Sequence, residues 1–189
     1  MTTALDVDAL NAADSVDFVA ALAPLFEGAP RFLARLDAGR PYADWAALFD
    51  RARSLAHEMP ERDQVQLIDA HPRLGASPAT MSALSIREQA RGREAIRITE
   101  TEAGPAAAGE RAPAEPERVA IELDRLNAAY EARFGFRYCV HVAGRTRAEL
   151  LPDMAAALRA APDAERHRAL DAVVDIARDR VSTLLRPTP

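Results

Sequence analysis

VAIELDRLNAAYEARFGFRYCVHV, residues 119–142, holds both a long helix and the one passage of the chain that could argue for a sheet. Val119, Leu123, Leu126, Tyr130 and Phe134 recur at the i, i+3, i+4 spacing of a helix's apolar face. Gly135 is placed to end that helix, because glycine enters the left-handed conformation of a helix C-terminus without a Cβ clash. Phe136-Arg137-Tyr138-Cys139-Val140-His141-Val142 has the aromatic and β-branched composition of a strand. A lone strand has no ladder to join, so the passage is expected to run extended or irregular, and the fold class to be all-α.

Working outward, the rest of the chain repeats the helical period. Ser15 is a candidate N-cap for a helix carrying Phe18, Val19, Leu22, Leu25 and Phe26 as far as Gly28. Pro30, at a first-turn position, opens a short segment through Leu33 and Leu36 to Gly39. Asp44 caps a third helix with the stripe Trp45, Leu48, Phe49, Ala52, Leu55 and Met59. A fourth, from about Pro60, carries Val65, Leu67 and Ile68 and delivers His71, where Pro72 biases residue 71 out of the α region. A fifth starts near Ser85 and runs toward Ile98.

Thr99–Pro116, TETEAGPAAAGERAPAEP, has no apolar residue larger than alanine and is expected to be a flexible loop. After residue 142, Thr146-x-x-Glu149 fits a capping box opening a helix through Leu150, Leu151, Met154 and Leu158. Past Pro162 a last helix carries Leu170, Val173, Val174, Ala177, Val181, Leu184 and Leu185. The expectation is a single compact domain over residues 1–189, with about eight helices and no internal repeat.

Composition removes several classes of function. A net charge of −5 with 5% aromatic residues offers neither the basic face nor the stacking platforms of a nucleic-acid binder. The opening MTTALDVDAL lacks the basic and apolar regions of a signal peptide, and no run of about 18 apolar residues occurs, so no membrane partner is expected and the cytoplasm is the expected compartment. Cys139 is the only cysteine, which rules out an intramolecular disulfide and a CxxC-type metal site. His57-Glu58 begins like HExxH, but Glu61 stands at the fifth position and Pro60 interrupts the helix, so no metal site is expected. All 24 basic residues are arginine. Without a lysine amine, Schiff-base catalysis and the usual anchoring of pyridoxal phosphate are excluded.

The chemistry-bearing stretch is HPRLGASPATMSALSIREQ, residues 71–89, which brings an imidazole, a carboxylate and a carboxamide into one loop-to-helix passage through His71, Glu88 and Gln89. Each has a structural alternative. Ser85-Ile86-Arg87-Glu88 also fits a capping box, and a histidine beside proline is often only a helix-end residue. The polar residues at risk of burial are His71, Glu88, Gln89, Asn127, Arg133 and His141.

Taken together, HPRLGAS, the SALSIREQ passage at 82–89 and LNAAYEARFGF at 126–136, in that order, resemble the decarboxylases of 2-oxo-4-hydroxy-4-carboxy-5-ureidoimidazoline (OHCU) in uric acid degradation. The resemblance extends from the Ser15 helix through Arg40-Pro41 to Ile176–Arg180. It implies an all-α, cofactor-independent homodimer that acts on a small ureidoimidazoline, converting OHCU to (S)-allantoin and carbon dioxide. It further implies that His71 is the catalytic histidine and Glu88 the essential carboxylate. Pro72, Ser85, Ile86, Arg87, Gln89, Tyr138, Cys139, Val140, His141 and Val142 fall in its substrate-contacting segments.

The chain departs from the family pattern in several places. Many members read HPDLAGK where it has HPRLGAS, and FGFPF where it has FGFRY. If Glu165 is the family's downstream glutamate, an arginine common in the preceding helix is here Ala157. Two alternatives stay open: a decarboxylase or hydrolase acting on a related ureido compound, and a helical interaction module that has lost catalysis.

Overall fold

The structure is a computed structural model that describes residues 6–89 and 114–185, and no strand occurs among them. In chain order the helices are α1 (Val7–Ala12), α2 (Ser15–Leu22), α3 (Pro30–Asp37), α4 (Trp45–Glu58) and α5 (Glu61–Ala70). A 3₁₀ turn at Pro78–Thr80 precedes α6, helical over residues 83–89, and then come α7 (Glu115–Phe134), α8 (Arg147–Ala157) and α9 (Pro162–Leu184). Residues 136–142 are irregular, as one strand-like passage without a ladder partner must be.

Most helix ends follow the local chemistry of the sequence. The Asp44 carboxylate accepts from the Ala47 N–H at 2.8 Å. Thr146 and Glu149 close a reciprocal box, with Thr146 N–H to Glu149 Oε2 at 2.7 Å and Glu149 N–H to Thr146 Oγ1 at 3.3 Å. Gly135 ends α7 at φ 75°.

Other ends correct the sequence reading. α2 is capped by Asp14, whose carboxylate accepts from Asp17 N–H at 2.9 Å, so Ser15 is the first helical residue rather than the cap. Leu25 and Phe26 lie past that helix in a turn, though fully buried. α6 begins before Ser85, because the Ser82 hydroxyl accepts from Ser85 N–H at 3.2 Å and the Ser82 carbonyl from Ile86 N–H at 2.9 Å. Ser85 and Glu88 are therefore interior helix positions, and the Ser85–Glu88 capping box is not formed. Leu184 and Leu185, expected in the apolar stripe of the last helix, are exposed. The helix expected toward Ile98 and the loop expected over Thr99–Pro116 lie outside the described residues beyond 89 and before 114; Glu115 and Pro116 form the first turn of α7.

The chain divides into two compact units. The first comprises residues up to His71, the segment Cys139–His141, and the chain from Ala161 onward. In it α9 packs on α4 and α5, and α3 on α2. Its core includes Phe18, Leu22, Leu25, Phe26, Phe32, Leu33, Leu36, Leu48, Leu67, Ile68, Leu170 and Val173. Each large side chain so buried contributes about 1.5–3 kcal/mol relative to exposure.

Several polar groups inside this unit are matched. Gln64 donates to the α4 carbonyls of Ala56 and His57 at 3.0 Å each and accepts from Arg166 Nε at 2.8 Å. Buried Asp63 is held by Arg31 and Arg35 at 2.8 and 3.1 Å. The second unit comprises Pro72–Tyr138 and Val142–Ala160. There α7 packs on α8 around Leu74, Leu123, Leu126, Leu150 and Met154, with Tyr130 at the centre of an aromatic cluster.

Candidate functional site

The first unit carries His71. It is the C-cap of α5, extended at φ −75° and ψ 141° as the following proline requires, with its N–H on the Ile68 carbonyl at 3.1 Å. Its side chain is buried, with 4% of the residue exposed. Burial pushes the imidazole's pKa down to about 4, and the charge of Arg180 pushes the same way, against the opposing influence of Glu27 and a backbone hydrogen bond with Leu67. At neutral pH His71 is therefore an uncharged imidazole, able to accept a proton.

Arg180 and Glu27 are the charged pair behind this histidine's electrostatics. Arg180 Nη2 meets Glu27 Oε1 at 2.8 Å, while Nη1 donates to the carbonyls of Pro24 and Leu25 at 2.9 and 3.1 Å. Both side chains are inside, at 1% and 10% exposure. Glu27 sits at φ 50°, a left-handed conformation unusual for a residue with a side chain.

Also in the first unit is the segment Cys139–His141. Its backbone is held from α9: Arg168 Nη1 donates to the Cys139 carbonyl at 3.0 Å, while the same guanidinium grips the carboxylate of buried Glu165 at 2.7–3.0 Å. The Cys139 side chain is buried, and Val140 and His141 are half-buried. His141 Nε2 stands 3.8 Å from Asp179 Oδ2.

The second unit carries the other sequence-selected residues: Pro72, Ser85, Ile86, Arg87, Glu88, Gln89, Tyr138 and Val142. The three residues after Pro72 are pinned one by one. Arg73 Nε donates to Glu131 at 2.9 Å, the Leu74 carbonyl accepts from Asn127 Nδ2 at 3.0 Å, and Gly75 N–H donates to Gln89 Oε1 at 3.0 Å. That last bond occupies the carboxamide oxygen of Gln89, so the end of this side chain that can serve a ligand is its NH₂. Ser85 is buried, Ile86, Glu88 and Gln89 are half-buried, and Arg87 is exposed. The Tyr138 ring is buried edge-on to Tyr130, 5.1 Å between centroids.

Of the polar residues expected inside, His71 and Asn127 are buried. Glu88, Gln89 and His141 are half-buried, and Arg133 is exposed on the last turn of α7, donating to the Ala160 carbonyl at 3.2 Å. Sequence reasoning did not single out Arg180, Glu27 or Arg168 as neighbours of functional segments. Glu165-x-x-Arg168 has the i, i+3 spacing of a helical ion pair, which could have flagged it. The pairing of Glu27 with Arg180 spans more than 150 residues and has no local signature. Among the described residues no group of three or more His, Cys, Asp or Glu is placed to hold a metal ion, and no helix is long and apolar enough to cross a membrane.

Comparison with known proteins follows the same segments. A family model described as OHCU decarboxylase matches residues 11–182. The chain is 25% identical over 182 residues to 2-oxo-4-hydroxy-4-carboxy-5-ureidoimidazoline decarboxylase of Amia calva, covering 96% of this chain and 95% of that one. It is 27% identical over 188 residues to the putative decarboxylase of that name in Homo sapiens, covering 98% of each. Uric acid degradation bifunctional protein PucL of Bacillus subtilis (strain 168) is 28% identical over 179 residues, and there the match covers 95% of this chain but 32% of the relative's length. Among solved structures the fold matches that of OHCU decarboxylase in the presence of (S)-allantoin, with TM-score 0.59 and 22% identity over 83% of this chain and 92% of that one. It also matches (S)-allantoin synthase, with TM-score 0.63 and 18% identity over 96% of this chain and 54% of that one.

Proposed function

The chain belongs to the OHCU decarboxylase family, and on that premise we propose that it removes carbon dioxide from OHCU to give (S)-allantoin, as a cofactor-independent, single-domain homodimer in the cytoplasm. The observation that carries the reading is the family match along residues 11–182, which takes in His71-Pro72, Ser85–Gln89 and Tyr138–Val142 alike.

The reaction asks little of a protein without lysine. The bond from the ring carbon to the carboxylate breaks, carbon dioxide leaves, and the bonding pair passes into the substrate's own adjacent imine. The substrate's hydroxyl proton is lost as its oxygen becomes a carbonyl, and the former imine gains two protons, that one at its carbon and a second, from solvent, at its nitrogen. Neutral His71 takes the hydroxyl proton, and the imidazolium so formed returns it to one face of the ring, which fixes the handedness of the product. Its depressed pKa keeps the imidazole unprotonated, and so able to receive the proton, at some loss of basicity, and makes the imidazolium a ready donor in the second half. Glu88 accepts from the ureido N–H groups, the NH₂ of Gln89 and the Val140 N–H hold carbonyl oxygens, and the other residues from Pro72 to Val142 named above shape the contact.

The test generates OHCU in situ from urate and follows the circular dichroism of the allantoin formed, beside the protein's mass in solution. Accelerated appearance of a single enantiomer is the expected result. Racemic product at the spontaneous rate from a folded protein would overturn the reading, and selective turnover of a different ureido acid would replace the substrate.

A further inference from the structure

We infer that Arg168, braced by Glu165, is a positioning residue that sets the direction of the Val140 N–H. The inference rests on the proposed function only in taking that N–H as a substrate contact. A trans peptide points its C=O and the following N–H in opposite directions within one rigid plane, and the Cys139–Val140 bond is trans, since the only cis bond among the described residues is Arg40-Pro41. Fixing the Cys139 oxygen therefore fixes the Val140 N–H, pointing away from Arg168. Arg168 Nη1 holds that oxygen at 3.0 Å.

A guanidinium on a long side chain would normally leave its donor loosely aimed. Here Nε and Nη2 are locked onto Glu165 at 2.7–3.0 Å, and Glu165 is itself buried, 2% exposed, three residues away on the same helix. The fork geometry leaves Nη1 one direction to point. Lysine, a single ammonium on a flexible stem, can serve the carboxylate or the carbonyl but cannot be braced by one while aimed at the other.

Because removing Arg168 alone strips a buried carboxylate of its guanidinium and can unfold the protein, the experiment uses Glu165→Gln/Arg168→Met together with Arg168→Lys. A positioning role predicts that the double variant keeps its melting temperature within a few degrees of the parent while kcat on OHCU falls about 10- to 100-fold with KM nearly unchanged, since a misdirected donor is missed chiefly in the transition state. Arg168→Lys, folded, should show the same split. Recovery of kcat in step with stability in the double variant would overturn the inference and leave a purely structural ion pair. A readout independent of turnover is the NMR signal of the Cys139 carbonyl carbon and the Val140 amide, which should move in both variants; unmoved signals overturn the inference even if the parent proves inactive on OHCU, which is a failure of the functional reading instead.

Discussion

Arg180→Met is the substitution whose consequences can be worked furthest. The parent guanidinium is 1% exposed and bonded to Glu27 and to the carbonyls of Pro24 and Leu25. Removing it leaves the charge of a nearly buried carboxylate uncompensated, which typically costs about 3–5 kcal/mol. For a chain of this size each kcal/mol moves the melting temperature by about 2–4 °C, so the fall should be roughly 6–20 °C. Glu27→Gln/Arg180→Met removes both charges and should recover part of this. It should not recover all, because the buried Leu25 carbonyl still loses its donor, at about 1–3 kcal/mol. The same substitution withdraws one of the two influences that hold the His71 pKa low, so the acid limb of the activity profile should move toward higher pH. Urea unfolding of the parent and the two variants and a pH–rate profile of Arg180→Met read both effects. Stability of Arg180→Met within about 1 kcal/mol of the parent would refute the buried-pair argument.

His71→Asn should fold normally and lose at least about 10²-fold in rate, checked by steady-state kinetics beside a thermal melt. Because burial holds the His71 pKa down at about 4 against an ordinary 6.5, the unfolded chain takes up a proton before the folded one; stability is full above pH 6.5 and lost as pH falls through about 4, by on the order of 3 kcal/mol, and the difference between parent and His71→Asn in urea unfolding across that range isolates it. Glu88→Gln should lower kcat/KM roughly 10- to 150-fold at unchanged stability, since Glu88 is not the partner of a helix cap; near-parental kinetics would remove it from the site. Gly75→Ala should destabilise by about 1–3 kcal/mol in urea unfolding, as Gly75 is at φ 86° and a Cβ there would lie 2.7 Å from Leu123 Cδ2.

Helix existence was legible because it is encoded within one turn of chain: apolar spacing, Asp44, the Thr146–Glu149 pair and Gly135 each act on neighbours three or four residues away. Cap identity at α2 and α6 was misread where two hydroxyl- or carboxylate-bearing residues compete, Asp14 with Ser15 and Ser82 with Ser85, and packing rather than propensity decides between them. α1 went unseen because only Val7 and Leu10 face inward, too few to make a period. At the site, His71 could be placed at a helix end from Pro72 alone. Its electrostatic surroundings could not, because Glu27 and Arg180 meet only through the packing of distant helices, and the grip of Arg168 on a backbone carbonyl leaves no trace in residue spacing.

The forked contacts of arginine have a practical side. Arg53 reaches Asp171 and Asp175, Arg166 reaches Gln64, Glu61 and Asp163, and Arg168 and Arg180 each combine a carboxylate with backbone carbonyls. An ammonium cannot span such sets. A lysine installed as a chemical handle for a dye or a surface would therefore be tolerated at Arg62, 79% exposed and only loosely near Asp63, and rejected at these four positions. With no other side-chain amine in the chain, that one substitution would give a singly addressable protein once the α-amino group is blocked.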